Sequence, residues 1–293
     1  MRTPIIAILL SVIFFFSCSN EEKNIALSFD NQRIYFTDQG TGKPTILFVH
    51  AWCTDGTLWK NQVEAFKKDY RVVTIDLAGH GKSGKSRKHW NPENFARDVV
   101  AVINRLELKK VVLVGHSISE ETVIRVARME PRIIVGIVGV DNFKDVEMAF
   151  NDSIKLEADR FFSMMDKNFG IAAEVYAYDF LFSPYTNGKI RNQIMDQVKA
   201  SDPEIAKPIL KILYTDYQED KKFIKELITP LYLINSDFQP TDTAALGRFC
   251  YYGYDITYMS RVGHYPMIEK PKEFNEELAK ILKKIEGQNF KPN

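Results

Sequence analysis

The segment "VVLVGHSISEETVIRVA" carries an apolar strand-like run into a helical pattern through Gly115-His116-Ser117-Ile118-Ser119. A serine at such a turn is placed for nucleophilic chemistry. A sharp strand-to-helix reversal needs small flanking residues and lifts the Ser117 hydroxyl off the sheet. It also sets that hydroxyl at a helix N-terminus, where developing negative charge is favoured. The spacing is close to Gly-x-Ser-x-Gly, with Ser119 where a second glycine is usual. The plain alternative is that Ser117 only caps the helix. A second stretch, "GHGKSGKS" from Gly79 to Ser86, has the spacing of a phosphate-binding loop, which would mean nucleotide chemistry instead. Such a loop needs its helix to begin at the closing Lys-Ser, so that the helix N-terminus faces the phosphates. Here "RKHWNPEN" follows Ser86 and the helical pattern starts only near Pro92, so the match is read as accidental.

The elements around these residues follow from hydrophobic patterning. "TILFVH", "RVVTID", "KVVLVG", "IIVGIVGV" and "PLYLIN" are short, continuous apolar runs rich in Val and Ile. Strands of that kind are buried on both faces, as in a parallel sheet. Helical patterns alternate with them: "TLWKNQVEAFKKD", "PENFARDVVAVINRLE" and "EETVIRVARMEP". The fold class predicted is therefore α/β, a doubly wound and mostly parallel sheet. A β-hairpin with its turn at Asp30-Asn31 is expected before it, and "YDITYMS" and the helix "PKEFNEELAKILKKIEG" after it. Between about Asn142 and Ile228 the alternation stops. That stretch is helical in pattern and rich in large apolar residues, and reads as a helical cap inserted over one edge of the sheet.

With these residues in hand, the chain from about residue 25 onward resembles the α/β-hydrolase fold family. "LFVHAWCTDGTLW" is similar to the family's His-Gly-x loop, with Ala51 in place of the glycine. The resemblance implies an oxyanion hole made by the backbone N–H groups of Trp52 and Ile118. "IDLAGHGKSGK" resembles the family's Asp-x-x-Gly-x-Gly-x-Ser loop, which gives "GHGKSGKS" a different meaning. "SRVGHYPMIEKPKEF" resembles the segment that carries the catalytic histidine, and implies His264 as the base. The other histidines have different places: His116 beside the nucleophile and pointing away from it, His50 and His80 in the two loops just named, His89 in the basic run. The family often places the acid after strand seven, but there "LINSDFQPTD" sets Gln239. The other family solution places it after strand six, where "GIVGVDNF" sets Asp141. Asp141 is favoured, with Asp237 the alternative, and Asp242 or a triad without an acid behind both.

The rest of the composition narrows the classes. The chain has 293 residues, 39 Lys+Arg against 38 Asp+Glu, and a net charge of +1, so no broad basic surface for nucleic acid is implied. The run "KSGKSRKH" reads as a solvated loop, and Glu120 and Glu121 as solvated first-turn helix acids, with Glu120 buried beside the site as the other option. No His-x-x-x-His or Cys-x-x-Cys spacing suggests a metal. At the N-terminus, Arg2 precedes an apolar run from Ile5 to Phe16 that ends in Ser17-Cys18. The run suits the core of an export signal. Its end resembles a bacterial lipobox, with Phe15 and Phe16 replacing the usual Leu and small residue. That resemblance implies cleavage before Cys18, acylation of Cys18, and a chain tethered to a membrane of the cell envelope; an ordinary cleaved signal, giving a secreted or periplasmic protein, is the alternative. Cys53 and Cys250 read as two unpaired buried thiols, with a disulfide between them the alternative in an oxidising compartment.

The expected organisation is a signal peptide at 1–17, a tether at 18–24, a core at 25–142 and 229–293, and a cap at 143–228. The expected function is hydrolysis of a small to medium, mainly apolar carboxylic ester through Ser117, His264 and Asp141, with an acyl-enzyme and no cofactor or metal. The partner is then a small-molecule acyl substrate. Hydrolysis of an amide, thioester or carbon–carbon bond on the same fold is the second reading. A non-catalytic binding protein that keeps the fold is the third.

Overall fold

The computed structural model describes residues 23–147, 151–212, 214 and 217–288. The signal segment, Cys18 and most of the tether lie outside the described residues. Eight strands form one sheet: β1 Ile25–Leu27, β2 Arg33–Gln39, β3 Thr45–Val49, β4 Arg71–Ile75, β5 Val111–His116, β6 Ile134–Val140, β7 Leu231–Ser236 and β8 Tyr254–Met259. Their order is β1-β2-β4-β3-β5-β6-β7-β8. β1 and β2 are antiparallel to each other, and β2 is antiparallel to β4. From β4 across to β8 every pairing is parallel. β3, β5 and β7 are buried along their whole length, which is what their continuous apolar runs predicted.

Helices cover the sheet: α1 Lys60–Phe66, α2 Pro92–Arg105, α3 Ser119–Met129, α9 Thr243–Phe249, α10 Pro266–Glu269 and α11 Pro271–Gly287. α2 starts where its sequence says it should. Asn91 accepts from the Asn94 N–H at 2.8 Å and Pro92 follows it. Between β6 and β7 lie α4 Asp152–Lys167, α5 Phe169–Tyr176, a π-helical turn Ala177–Leu181, α6 Gly188–Ala200, α7 Pro203–Ile212 and α8 Tyr217–Lys225. No strand interrupts them among the described residues. Asn151, Asn168 and Asn187 cap α4, α5 and α6 by accepting from the Ile154, Ile171 and Ile190 N–H groups. The Trp52 indole ties this layer to the core by donating to the Ala206 carbonyl of α7 at 2.8 Å.

Two sequence expectations are corrected here. The basic run is not simply a solvated loop. Lys85, Lys88 and His89 are exposed, but Arg87 has a side chain only 2% exposed. Its guanidinium forks onto Asp98 at 2.8 and 2.6 Å and onto Asp30 at 2.8 and 3.1 Å. Ser28 Oγ also donates to Asp98 at 2.6 Å, so the network pins the hairpin turn to α2. Glu121 is not a solvated helix acid either: it is 2% exposed and pairs with the buried Arg125 at 2.9 Å. Cys53 and Cys250 are both free and buried, and burial pushes their thiols up to about 12 and about 11.

A buried ion pair that loses one partner leaves a desolvated charge behind. Asp98→Ala should therefore lower unfolding stability by about 3–5 kcal/mol. The exposed neighbour Lys88→Ala should change it by no more than about 0.5 kcal/mol. Urea denaturation of both variants checks this, and equal midpoints would refute it.

Candidate active site

The parallel strands end on one rim, and the loops that leave β3, β5, β6 and β7 meet there. β5 passes through Ser117 into α3, which starts at Ser119. Ser117 sits at φ +55°, in the left-handed region that a non-glycine residue adopts only when its surroundings hold it there. Its N–H donates to the Val140 carbonyl at 3.0 Å and its carbonyl accepts from the Glu120 N–H at 2.9 Å. Gly115 must be small: a Cβ there would lie 2.7 Å from Val123 Cγ1 of α3. Ser119 is tolerated in place of glycine for a specific reason. Its hydroxyl donates to the His50 carbonyl and links the turn to the loop after β3.

His50 holds that loop. Its Nε2 accepts from Leu77 N–H at 2.9 Å while Nδ1–H donates to the Ala51 carbonyl at 2.8 Å. The accepting Nε2 needs a neutral ring, and burial lowers its basicity. The loop after β4 is fixed by Asp76, whose carboxylate accepts from the Gly56 and Lys82 N–H groups at 2.8 Å each. Gly81 allows this at φ +49°, since a Cβ would lie 2.2 Å from Asp76 Oδ2. α2 begins only at Pro92, so no helix N-terminus meets Lys85-Ser86. The Trp52 and Ile118 backbone N–H groups have no protein acceptor among the described residues.

Asp141 follows β6 at φ +48° and is 3% exposed. Its Oδ2 lies 2.6 Å from His264 Nδ1. Its Oδ1 accepts from Ser236 N–H and Ser236 Oγ at 2.7 Å each, and meets Lys144 Nζ at 2.8 Å. Burial opposes the charge of this carboxylate. The hydrogen bond and charge of His264, then Lys144, outweigh it and hold the group well below the usual carboxylate range. Asp237 and Asp242 are used elsewhere. Asp237 accepts from the Arg261 N–H at 3.3 Å, and Asp242 caps α9 through the Ala245 N–H at 2.8 Å.

The loop carrying His264 is pinned from three sides. Glu269 accepts from the Gly263 N–H at 2.9 Å, from the Tyr265 N–H at 3.2 Å and from the Thr186 hydroxyl at 2.8 Å. His264 N–H donates to the Leu181 carbonyl at 2.9 Å. His116 Nε2–H donates to the His264 carbonyl at 2.7 Å. Burial, then the neighbouring His264 charge, lower the His116 basicity far below its ordinary value, so it is a neutral strut. A Nδ1–H on His264 pointed at Asp141 leaves Nε2 with its lone pair outward, the form a general base needs.

Ser117, Asp141 and His264 line one cavity of about 420 Å³ together with Tyr176, Phe180 and Leu181 of the inserted helices. Glu120 and Gln239 also line it. Glu120 is used as a clamp: its carboxylate accepts from the Phe143 N–H at 2.5 Å. Sequence reasoning missed Ser236, Lys144, Glu269 and the Asn142–Asn235 pair, which joins the ends of β6 and β7 through Asn235 Nδ2 and the Asn142 carbonyl at 2.9 Å. The available signal was the polar Asn235-Ser236 ending an otherwise apolar strand, since buried polar groups need partners.

The depressed Asp141 carboxyl makes stability depend on pH. Its stabilising contribution is complete above the unfolded-state value near ~4 and is lost as pH falls through the lower folded value. The unfolding midpoint in urea should therefore drop more steeply in the wild type than in Asp141→Asn as pH falls below about 4. Parallel curves for the two proteins would contradict it.

Comparison with known proteins agrees with this architecture. Residues 46–277 match the profile of the alpha/beta hydrolase family. A putative esterase/lipase of Haemophilus influenzae is 31% identical over 137 residues, covering 45% of this chain and 47% of that protein. The match thus spans about half the length of that relative. The karrikin insensitive 2 receptor IA of Petunia hybrida is 21% identical over 249 residues, covering 80% of this chain and 88% of the receptor. A thermophilic esterase from Thermogutta terrifontis superposes with a TM-score of 0.76 at 20% identity, over 89% of this chain and 98% of that one. At that identity it speaks for the fold. The chain belongs to the alpha/beta hydrolase family.

Proposed function

We propose that this chain is a serine hydrolase that cleaves a small to medium, mainly apolar carboxylic ester. The observation that carries the reading is the 2.6 Å contact between Asp141 Oδ2 and His264 Nδ1, in a cavity shared with Ser117 on its strained turn. In this mechanism Ser117 Oγ attacks the ester carbonyl carbon while His264 Nε2 takes its proton. The imidazolium that forms is stabilised by Asp141, which stays ionised. The Trp52 and Ile118 N–H groups hold the oxyanion of the tetrahedral intermediate. Collapse of that intermediate breaks the ester C–O bond, and His264 gives its proton to the departing alkoxide. A water, deprotonated by His264, then attacks the acyl-enzyme and restores Ser117.

The cavity supports the substrate class. Its volume of about 420 Å³ sits at the small end of ligand sites, and Tyr176, Phe180 and Leu181 give it apolar walls. A relative named as a receptor favours a second reading, in which the same cavity binds a small molecule without turnover. Ser117 and His264 weigh towards catalysis.

Intact mass after treatment with a fluorophosphonate probe separates the two. Wild type should gain one probe adduct rapidly, Ser117→Ala none. Asp141→Asn should react on the order of 10³–10⁴ times more slowly, since its ring loses both its orientation and its counter-charge. p-Nitrophenyl butyrate should be hydrolysed at least roughly tenfold faster than the palmitate, which exceeds the cavity. Folded wild type that takes no label and turns over neither ester would bring the binding protein forward.

We further infer that the mature chain starts at Cys18 and is held on an envelope membrane by lipid on that residue. The apolar run Ile5–Phe16 ending in Ser17-Cys18 supports it. Cells fed radiolabelled palmitate should label the wild type and not Cys18→Ser; equal labelling of both would remove the anchor.

A further inference from the structure

One cation stands against the acid of this site, and the mechanism above gives it no task. Lys144 follows Asp141 by three residues and its side chain is 15% exposed. Its Nζ lies 2.8 Å from Asp141 Oδ1 and 3.2 Å from Ser236 Oγ. Among the described residues it is the only Lys or Arg that lines the cavity. Asp141 is thus held between two donors, the Lys144 ammonium on one oxygen and the His264 ring on the other.

A buried carboxylate facing an imidazole stabilises the protonated ring, and the effect grows as water is removed. A base held too firmly in its protonated form cannot take the serine proton near neutral pH. A second cation on the far oxygen offsets part of the carboxylate charge, so the ring faces a nearly neutral pair. We propose that Lys144 is a positioning residue that sets the working pH of His264 by offsetting the charge of Asp141, extending activity into mildly acidic conditions. This rests on the triad reading of Ser117, His264 and Asp141.

The other groups around the ring do not supply the same effect. His116, at the end of β5, is neutral and donates to the His264 carbonyl. Tyr265 is buried and Tyr176, on α5, half-buried, and burial opposes the ionisation of both phenols. Glu269 of α10 spends its carboxylate on Gly263, Tyr265 and Thr186. Glu120 of α3 accepts from Phe143. Asp145 lines the same cavity, and burial, then Asp242, push its carboxyl up. None of these groups is a cation set against Asp141. The offset therefore falls to Lys144.

The test is the pH dependence of inactivation by a fluorophosphonate probe, which needs no knowledge of the natural ester. Rates are measured for wild type, Lys144→Met, Lys144→Arg and Asp141→Asn. The acid limb should move up in Lys144→Met by about one to two pH units, the size expected for a unit charge roughly 6 Å away at an effective dielectric of about 20. Lys144→Arg should bring the limb back towards wild type. A merely structural lysine would lower the rate at every pH and leave the limb where it was, and that result overturns the proposal. So does a limb that stays shifted in Lys144→Arg. If Lys144→Met does not fold, Lys144→Gln serves the same comparison. Inactivation unchanged in Asp141→Asn would instead refute the triad reading itself, which the Lys144 variants alone do not.

Discussion

The rim of this protein is organised around one buried negative charge. The carboxylate of Asp141 sits at the end of β6, inside the sheet, at 3% exposure. An isolated charge there would cost several kcal/mol, so its surroundings must supply donors from more than one element. They do: Ser236 at the end of β7 gives two, Lys144 a third and His264 a fourth. That requirement ties together β6, β7 and the loop before α10. The strand order β5-β6-β7 then brings the end of β5, and with it Ser117, to the same place.

Histidines do much of the remaining positioning, and they do it uncharged. His50 joins the loops after β3 and β4 through its two ring nitrogens. His116 holds the His264 backbone while its own Nδ1 has no partner among the described residues. Its ring centroid lies only 4.7 Å from that of His264. Were both rings charged they would repel strongly in this setting, so the neutrality of His116 leaves the positive charge to His264 alone. Burial gives that division of labour without any further device.

The core was readable because strands buried on both faces leave continuous apolar runs, and each such run is a strand in the structure. The serine turn was readable because small residues at fixed spacing are a local necessity. What could not be read were partnerships across the chain. Arg87 looked like one more cation in "KSGKSRKH", yet its partners Asp30 and Asp98 are 57 residues before it and 11 after it. Glu121 looked like a helix-start acid, and only the fold buries it beside Arg125. Lys144 and Ser236 lie 92 residues apart and meet only over Asp141. Local chemistry sets the motifs; which charge is buried depends on contacts that composition does not record.

The same geometry explains why the acid of such a site can stand on either of two strands. β6 and β7 are adjacent and parallel, with Val140 opposite Ile234. Asp141 N–H then donates to the Ile234 carbonyl at 3.1 Å, so the two strand ends open into one crevice. What decides between them is the residue at the other end. Here β7 ends in Ser236, short enough to leave room and able to donate twice to a carboxylate reaching across from β6. A purely apolar residue at that position would take the hydroxyl away and leave Asp141 Oδ1 with the backbone N–H and Lys144. The position usually watched for the acid after β7 instead holds Gln239, whose amide reaches the Phe180 carbonyl at 3.4 Å. With Asp141 supplying the charge from β6, the β7 side needs only donors, and Ser236 provides them.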